Sequence, residues 1–306
     1  MSTGFSAPLS TDRRIGPHTI VLVGEDGGRY PAGNSVVVQG TDGTAIIDPS
    51  TSVVRRGGAP GPIDRVVLTH AHEDHVAGVH LFPEATIAVH HLDLAGVHSL
   101  DGLMAIYGME PAADARFRRT LVTDFTYVAR PDAVGLLDDQ TIDLGGVTIR
   151  VVHLPGHTGG HSGMLIEPDG VFVTGDIDLS AFGPYYGDAT SDLDAFEMSL
   201  ARARQIDASH YVTFHHKGII EGRDAYVRAI DAFTGVIATR EARMVEFARD
   251  TPRSLADFVE HRFVYRPHVT VPFVGSVERR SAVMSLRRLI AASVIEQVDS
   301  DWYLAT

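Results

Sequence analysis

The sequence predicts an α+β sandwich followed by a mainly helical C-terminal module. Three observations carry this. Short Val- and Ile-rich runs separated by Gly-rich breaks fill the first part of the chain, and a second group of such runs follows a helical stretch. After about residue 222, the apolar residues take helical spacing. Residues 18–23, Ser35–Gln39 and Thr44–Ile47 read as a strand meander, broken by Gly24-Glu25-Asp26-Gly27-Gly28 and Gly40-Thr41-Asp42-Gly43. Residues 65–69 form another buried strand candidate. From about 92 to 122, Leu92, Leu94, Leu100, Leu103, Ile106 and Tyr107 suggest helix, interrupted by Gly108 and Pro111. Strands return at 148–154, 164–166, 171–174 and 211–214. Helices are expected at 223–247, at 254–262 with Pro252 at the first turn, and at 277–292, before a closing hairpin at 295–304. The expected domains are therefore 1–222 and 223–306.

Composition narrows the function classes. The 306 residues are 44% hydrophobic and 21% charged, the balance of a globular chain with a large core. No apolar run is long enough to span a membrane, and Met1-Ser2-Thr3-Gly4-Phe5-Ser6 lacks the pattern of a secretory signal. Cysteine is absent, which removes disulfides and thiolate ligands and fits a cytoplasmic setting. A net charge of −13 repels polyphosphate at long range, so a nucleic-acid partner is not expected. The 16 histidines are the unusual feature, and their positions decide the argument.

His70, His72, Asp74 and His75 fall within six residues at the end of a strand. Alternate strand residues share a face, so His70 and His72 can point together while Asp74 and His75 reach round the following turn. Imidazole and carboxylate are the natural ligands of zinc or similar ions when no thiolate is present. An incidental polar turn does not account for three histidines and an aspartate so close together. Three further strand runs also end in potential ligands: 148–154 leads to His157 and His161, 171–174 to Asp176, and 210–214 to His215 and His216. Strand ends line up along one edge of a sandwich, so these groups can meet there.

Together, His70-x-His72-x-Asp74-His75, Gly156-His157-Thr158-Gly159-Gly160-His161, Thr174-Gly175-Asp176 and the late His215 resemble the ordered motifs of the metallo-β-lactamase superfamily. The resemblance covers about residues 15–220 and includes the strand end Ile46-Ile47-Asp48. It implies an αββα sandwich with two divalent metal ions at one edge, zinc first, with iron or manganese as alternatives. His70, His72 and His157 would hold one ion, Asp74, His75 and His215 the other, and Asp176 would bridge them. His216 is the alternative to His215, and Asp48 and His161 are expected to orient ligands. The absent cysteine argues against the thiol-ligated antibiotic lactamases. His72, where the diiron flavoproteins carry glutamate, argues against that redox branch.

The function implied is a dinuclear metal-dependent hydrolase in which hydroxide generated at the metals attacks a small ester, thioester or lactone, with Asp74 handling the proton. A phosphodiesterase or ribonuclease and an iron-dependent sulfur dioxygenase are the alternatives. Substrate choice is expected in a helical insertion at about 76–135 and in the loop after Asp176, with Asp178, Phe182, Tyr185 and Tyr186 at the pocket mouth. His80, His90, His91 and His98 are expected on surface or helix-packing positions. Arg279, Arg280, Arg287 and Arg288 share one face of a late helix, opposite Val283, Leu286, Leu289 and Ile290. That segment resembles the small winged-helix appendage of some relatives. The arginine face is expected to be solvated, or to pack near the acidic core or against a homodimer mate.

Overall fold

The computed structural model describes residues 11–306. The first ten, including the stretch read for a secretory signal, lie outside the described residues. One sheet runs in chain order through β1 (Arg13–Arg14), β2 (Thr19–Leu22), β3 (Ser35–Gln39), β4 (Thr44–Ile47), β5 (Arg65–Val67), β6 (Thr86–His90) and β7 (Val134–Leu136). Its first four strands are antiparallel and its last four parallel. The second sheet contains β8 (Thr141–Asp143), β9 (Thr148–His153), β10 (Ser162–Glu167), β11 (Val171–Val173), β12 (His210–Val212) and β13 (Ile219–Glu221), all antiparallel except the β11–β12 pair.

Side-chain alternation builds the layers. Val36, Val38, Ala45, Ile47 and Val67 meet Ile149, Val151, Met164 and Val173 of the other sheet in a single cluster. The intervening Val37, Ile46 and Val66 point the other way. They join a cluster with Val53 of α1 (Thr51–Arg55), Val97 of α3 (Leu94–His98), Leu103 of α4 (Leu100–Tyr107) and Phe117 of α5 (Pro111–Thr123). On the far side, Val152, Phe172 and Tyr211 pack against Phe196 of α6 (Leu193–Gln205) and Tyr226, Ile230 and Phe233 of α7 (Arg223–Phe247). The result is a helix–sheet–sheet–helix sandwich, as the sequence implies.

Several expectations need correction. The segment 76–135 is not simply a helical insertion, because β6 and β7 extend the first sheet within it. Thr86-Ile87-Ala88-Val89-His90 is covered on both faces and so lacks the polar alternation that would reveal a strand. Pro252 lies outside its helix. The cap is Ser254, whose hydroxyl accepts from Asp257 N–H while the Asp257 carboxylate accepts in return, opening α8 (Leu255–His261).

The division at 222/223 is not a boundary of packing. The first half of α7 belongs to the sandwich, whereas Met244 near its end joins Phe258, Phe263, Leu286, Leu289, Ile295 and Tyr303 in a separate C-terminal core. That core is made by α8, α9 (Val274–Ala291) and a small sheet of β14 (Arg253–Ser254), β16 (Trp302–Ala305) and β15 (Ile295–Asp299), which includes the expected closing hairpin.

His90 is buried at the end of β6, its ring stacked 3.9 Å from that of His153, rather than on a surface or a helix. His80, His91 and His98 bond backbone carbonyls of Ala77, Leu136 and Ala133. Burial, with His153 and His91 adding to it, pushes the His90 pKa down from 6.5 to about 4. Between these values the unfolded chain holds the extra proton, so this contribution is complete above about pH 6.5 and is lost as pH falls toward 4. His90→Gln should therefore lose less stability than the parent between pH 7 and pH 5 in urea unfolding. Equal losses would contradict a buried neutral His90.

Candidate metal centre

His70 and His72 follow β5, and His72 in extended conformation opens the short helix α2 (Glu73–Val76), which turns Asp74 and His75 back toward the same edge. His157 follows β9, Asp176 follows β11 and His215 follows β12. Two glycines make the loops close enough. A Cβ at Gly156, where φ is +128°, would stand 2.3 Å from Phe196, and one at Gly175, φ +57°, would stand 2.5 Å from His161 Nε2.

The ligand atoms gather in two groups, His70, His72, His157 and Asp176 in one and Asp74, His75 and His215 in the other. His157 Nε2 lies 3.2 Å from His70 Nε2, 3.1 Å from His72 Nδ1 and 3.3 Å from Asp176 Oδ2. The other Asp176 oxygen lies 3.0 Å from His75 Nε2 and 3.9 Å from His215 Nε2. Each oxygen of this one carboxylate therefore faces a different group.

Hydrogen bonds on the outer side of each ring fix what points inward. His157 Nδ1–H donates to Tyr185 O, His215 Nδ1–H lies against Gly28 O and Ala32 O, and His72 Nε2 is 2.7 Å from Asp188. His75 Nδ1 is 3.0 Å from Asp48. The Thr69 hydroxyl donates to Asp48, leaving its oxygen to accept from His70 Nδ1–H at 3.1 Å. With those contacts on the outer side, the inward nitrogens face each other and the carboxylates, an arrangement that bound cations would satisfy by taking the lone pairs of the neutral rings. Asp74 Oδ2, 3.0 Å from His215 Nε2 but without a hydrogen bond, is a buried orphan acceptor. The separations also match the roughly 3.3 Å edge of a tetrahedron built on ~2.0–2.1 Å metal bonds. Donor type, direction and spacing all fit two divalent ions.

Electrostatics follows from the same contacts. Burial would push Asp176 up, but His75 and His215 outweigh it and hold the carboxyl well below the usual range. Burial alone would lower His72, and Asp188 more than reverses that, to about 9. His161 is driven down to about 3 by burial and by His157. Its neutral ring donates to Leu154 O and accepts from Asp176 N–H. It therefore positions Asp176 and has no lone pair left for an ion. Asp48, in left-handed conformation at φ +48°, accepts from Thr69 and His75 together. His216 is half exposed, 3.7 Å from Asp178 and in neither group.

Sequence reading misses several participants. Asp188 takes His72 Nε2–H on one oxygen and the Tyr185 hydroxyl on the other, from 116 residues away. Buried Asp93 accepts from Ala71 N–H, Thr158 Oγ1–H and Gly160 N–H, tying the two histidine loops together. Arg240 of α7 donates to Phe182 O and Pro184 O, and Arg280 of α9 donates to Tyr107 O, Gly108 O and Gly187 O. The C-terminal helices thus grip the 182–188 loop that backs His72 and His157. Of the expected mouth residues, Asp178, Phe182 and Tyr185 line the cavity, whereas Tyr186 is buried in the core beneath it.

This fold and donor set define a class. The family model described as Metallo-beta-lactamase superfamily matches residues 29–216, and the chain belongs to that superfamily. Among curated relatives, it is 34% identical to a hydroxyacylglutathione hydrolase of Acidiphilium cryptum over 39% of this chain and 38% of that one. It is 27% identical to an atrochrysone carboxyl ACP thioesterase of Aspergillus fumigatus over 48% of this chain and 35% of that one. The matched stretch spans under half the length of these relatives. A metallo-beta-lactamase family protein from Thermus thermophilus shares the fold with a TM-score of 0.69 and 20% identity, over 95% of this chain and 99% of that one.

Elemental analysis of gently purified protein should give about two divalent ions per chain. Asp188→Ala should weaken retention of one of them by about 10- to 100-fold, because His72 loses the partner that fixes its tautomer. One ion per chain with Asp74 and His75 unliganded would reject the dinuclear reading.

Proposed function

We propose that this protein is a dinuclear metal-dependent hydrolase of a small ester, thioester or lactone, with thioesters first. The observation that carries it is the pair of buried donor groups, with one oxygen of Asp176 near each, beside one cavity of about 270 Å³. The thioester preference is supported by the named activities of the hydroxyacylglutathione hydrolase and ACP thioesterase relatives.

His70, His72, His157 and Asp176 Oδ2 would hold one ion, and Asp74, His75, His215 and Asp176 Oδ1 the other. Zinc suits a nitrogen and oxygen set without thiolates. Such ions supply a water acidified toward neutral pH and a Lewis acid for the scissile carbonyl. The protein does the rest. Asp74, which lines the cavity, takes the proton of the attacking water. His161 and Asp48 keep Asp176 and His75 in place. Aromatic rings line the cavity beside the reacting bond.

The alternatives fit less well. Arg280 is spent on three backbone carbonyls, and Arg288 pairs with Glu197 at 2.7 Å and with Glu241 at 3.3 Å. Only Arg279 and Arg287 stay exposed, so α9 presents no four-arginine strip to a nucleic acid. A single-iron dioxygenase leaves the Asp74, His75 and His215 group without a purpose. Among the described residues, no helix is long and apolar enough to cross a membrane.

His70→Ala and Asp176→Ala should reduce thioester hydrolysis to background, with Asp176→Ala losing more metal because both groups share it. His91→Ala and His98→Ala should stay near the parent rate. Full metal and full turnover in Asp176→Ala would refute the shared-carboxylate assignment.

A further inference from the structure

The cavity above the metal centre is walled by aromatic rings, and the far wall comes from the C-terminal module. Tyr265, Val269, Val271 and Phe273, all between α8 and α9, face Tyr30, Tyr107, Phe182 and Tyr185. Tyrosine hydroxyls on the near side are turned away into internal bonds. Those of Tyr30 and Tyr107 donate to Glu73, and that of Tyr185 donates to Asp188. On that side, what remains for a ligand is ring surface.

The far wall is built rather than draped. Buried Glu278 of α9 accepts from the backbone N–H groups of Phe263, Val264 and Tyr265, the last at 2.6 Å. The Arg262 guanidinium closes the next turn by donating to Pro267 O and to Val269 O at 2.8 Å. Opposite, Arg240 lies 5.4 Å from the Phe182 ring centre while gripping its carbonyl. Phe273 is wedged edge-on against Phe117. Both walls are therefore fixed before any ligand arrives.

Charge and size restrict the occupant. Among the described residues lining the cavity, none is Lys or Arg, and the charged ones are Glu73, Asp74, Asp176, Asp178 and the histidines. The metal floor attracts a carboxyl-type group, but the walls offer no partner to a second anion. A dry apolar cavity of about 150 Å³ accepts benzene, and the cavity of about 270 Å³ spans both the donor groups and the ring-lined space beside them.

Resting on the hydrolase reading above, we propose that the acyl group of the substrate is apolar and ring-bearing, and that the 265–273 segment selects it. An aromatic side group on the acyl carbon lies against the contiguous ring wall made by Phe182, Tyr265 and Phe273, whose neighbouring ring centres are 5.5 and 6.2 Å apart, while its carbonyl lies over Asp74 and Asp176. Short polar acyl groups leave this space to water and gain nothing from it.

The test uses the metal-loaded full chain with a thioester series that shares one leaving thiol and carries acetyl, lactoyl, phenylacetyl or naphthylacetyl groups. The parent should favour phenylacetyl over acetyl by about tenfold or more in kcat/KM. Val271→Trp and Val269→Trp, which fill the space without touching a metal ligand, should cut that ratio about tenfold while keeping two ions per chain. A ratio near one in the parent, or a ratio unmoved by both variants, would overturn the proposal and leave the hydrolase reading standing. No turnover of any thioester, ester or lactone would instead defeat the hydrolase reading. The pocket is then judged by calorimetric titration with phenylacetate against acetate. Tighter phenylacetate binding that is lost in Val271→Trp supports the ring-binding pocket, and equal binding rejects it.

Discussion

Five imidazoles and two carboxylates converge at one edge of the sandwich, where burial and the repulsion of His75, His72 and His157 oppose charge on His70. Every other feature of that edge answers this repulsion. The outer nitrogen of each ring is satisfied by a carbonyl, a hydroxyl or a carboxylate, so no ring is free to swing away. Asp93 and Asp48 lash neighbouring loops together with buried hydrogen bonds. Holding like charges and lone pairs in this arrangement costs stability, and the two flanking clusters of buried apolar side chains supply it. The cation preference of the site is therefore written into the fold before any ion arrives.

The C-terminal helices are part of the same design. Arg240 and Arg280 hold the loop behind His72 and His157, and Glu278 shapes the segment that faces the two donor groups across the cavity. One set of contacts orients ligands and the other shapes the space for substrate. Both originate from α7 and α9, so the C-terminal module is a structural component of the site.

The sequence discloses the parts of the site that are dense along the chain. His70, His72, Asp74 and His75 are legible because a strand end and one turn bring them together, and His157, Asp176 and His215 are legible because each follows a strand-like run. Asp188 is not legible, since its link to His72 crosses 116 residues and its loop has no periodicity. Tyr265 and Phe273 are invisible for a similar reason, lying between two helices whose own spacing draws attention. β6 escapes because a strand buried on both faces shows no alternation, and its position between helical segments suggests one continuous helical stretch. The arginine periodicity of α9 reveals a shared face, but periodicity carries no sign that Arg280 and Arg288 are drawn inward by carbonyls and acids.

The 25 residues of α7 make a rod of roughly 37 Å that is rooted in two hydrophobic cores. Such a rod welds them mechanically. Loosening the C-terminal core withdraws support from Tyr226 and Phe233 in the sandwich, so the two cannot melt independently while the helix stays intact. It also means that a cut after residue 222 strips an outer layer from the second sheet, exposing Phe172 and Tyr211, instead of removing a detachable appendage. An insertion at 222/223 therefore breaks into a packed layer of the sandwich.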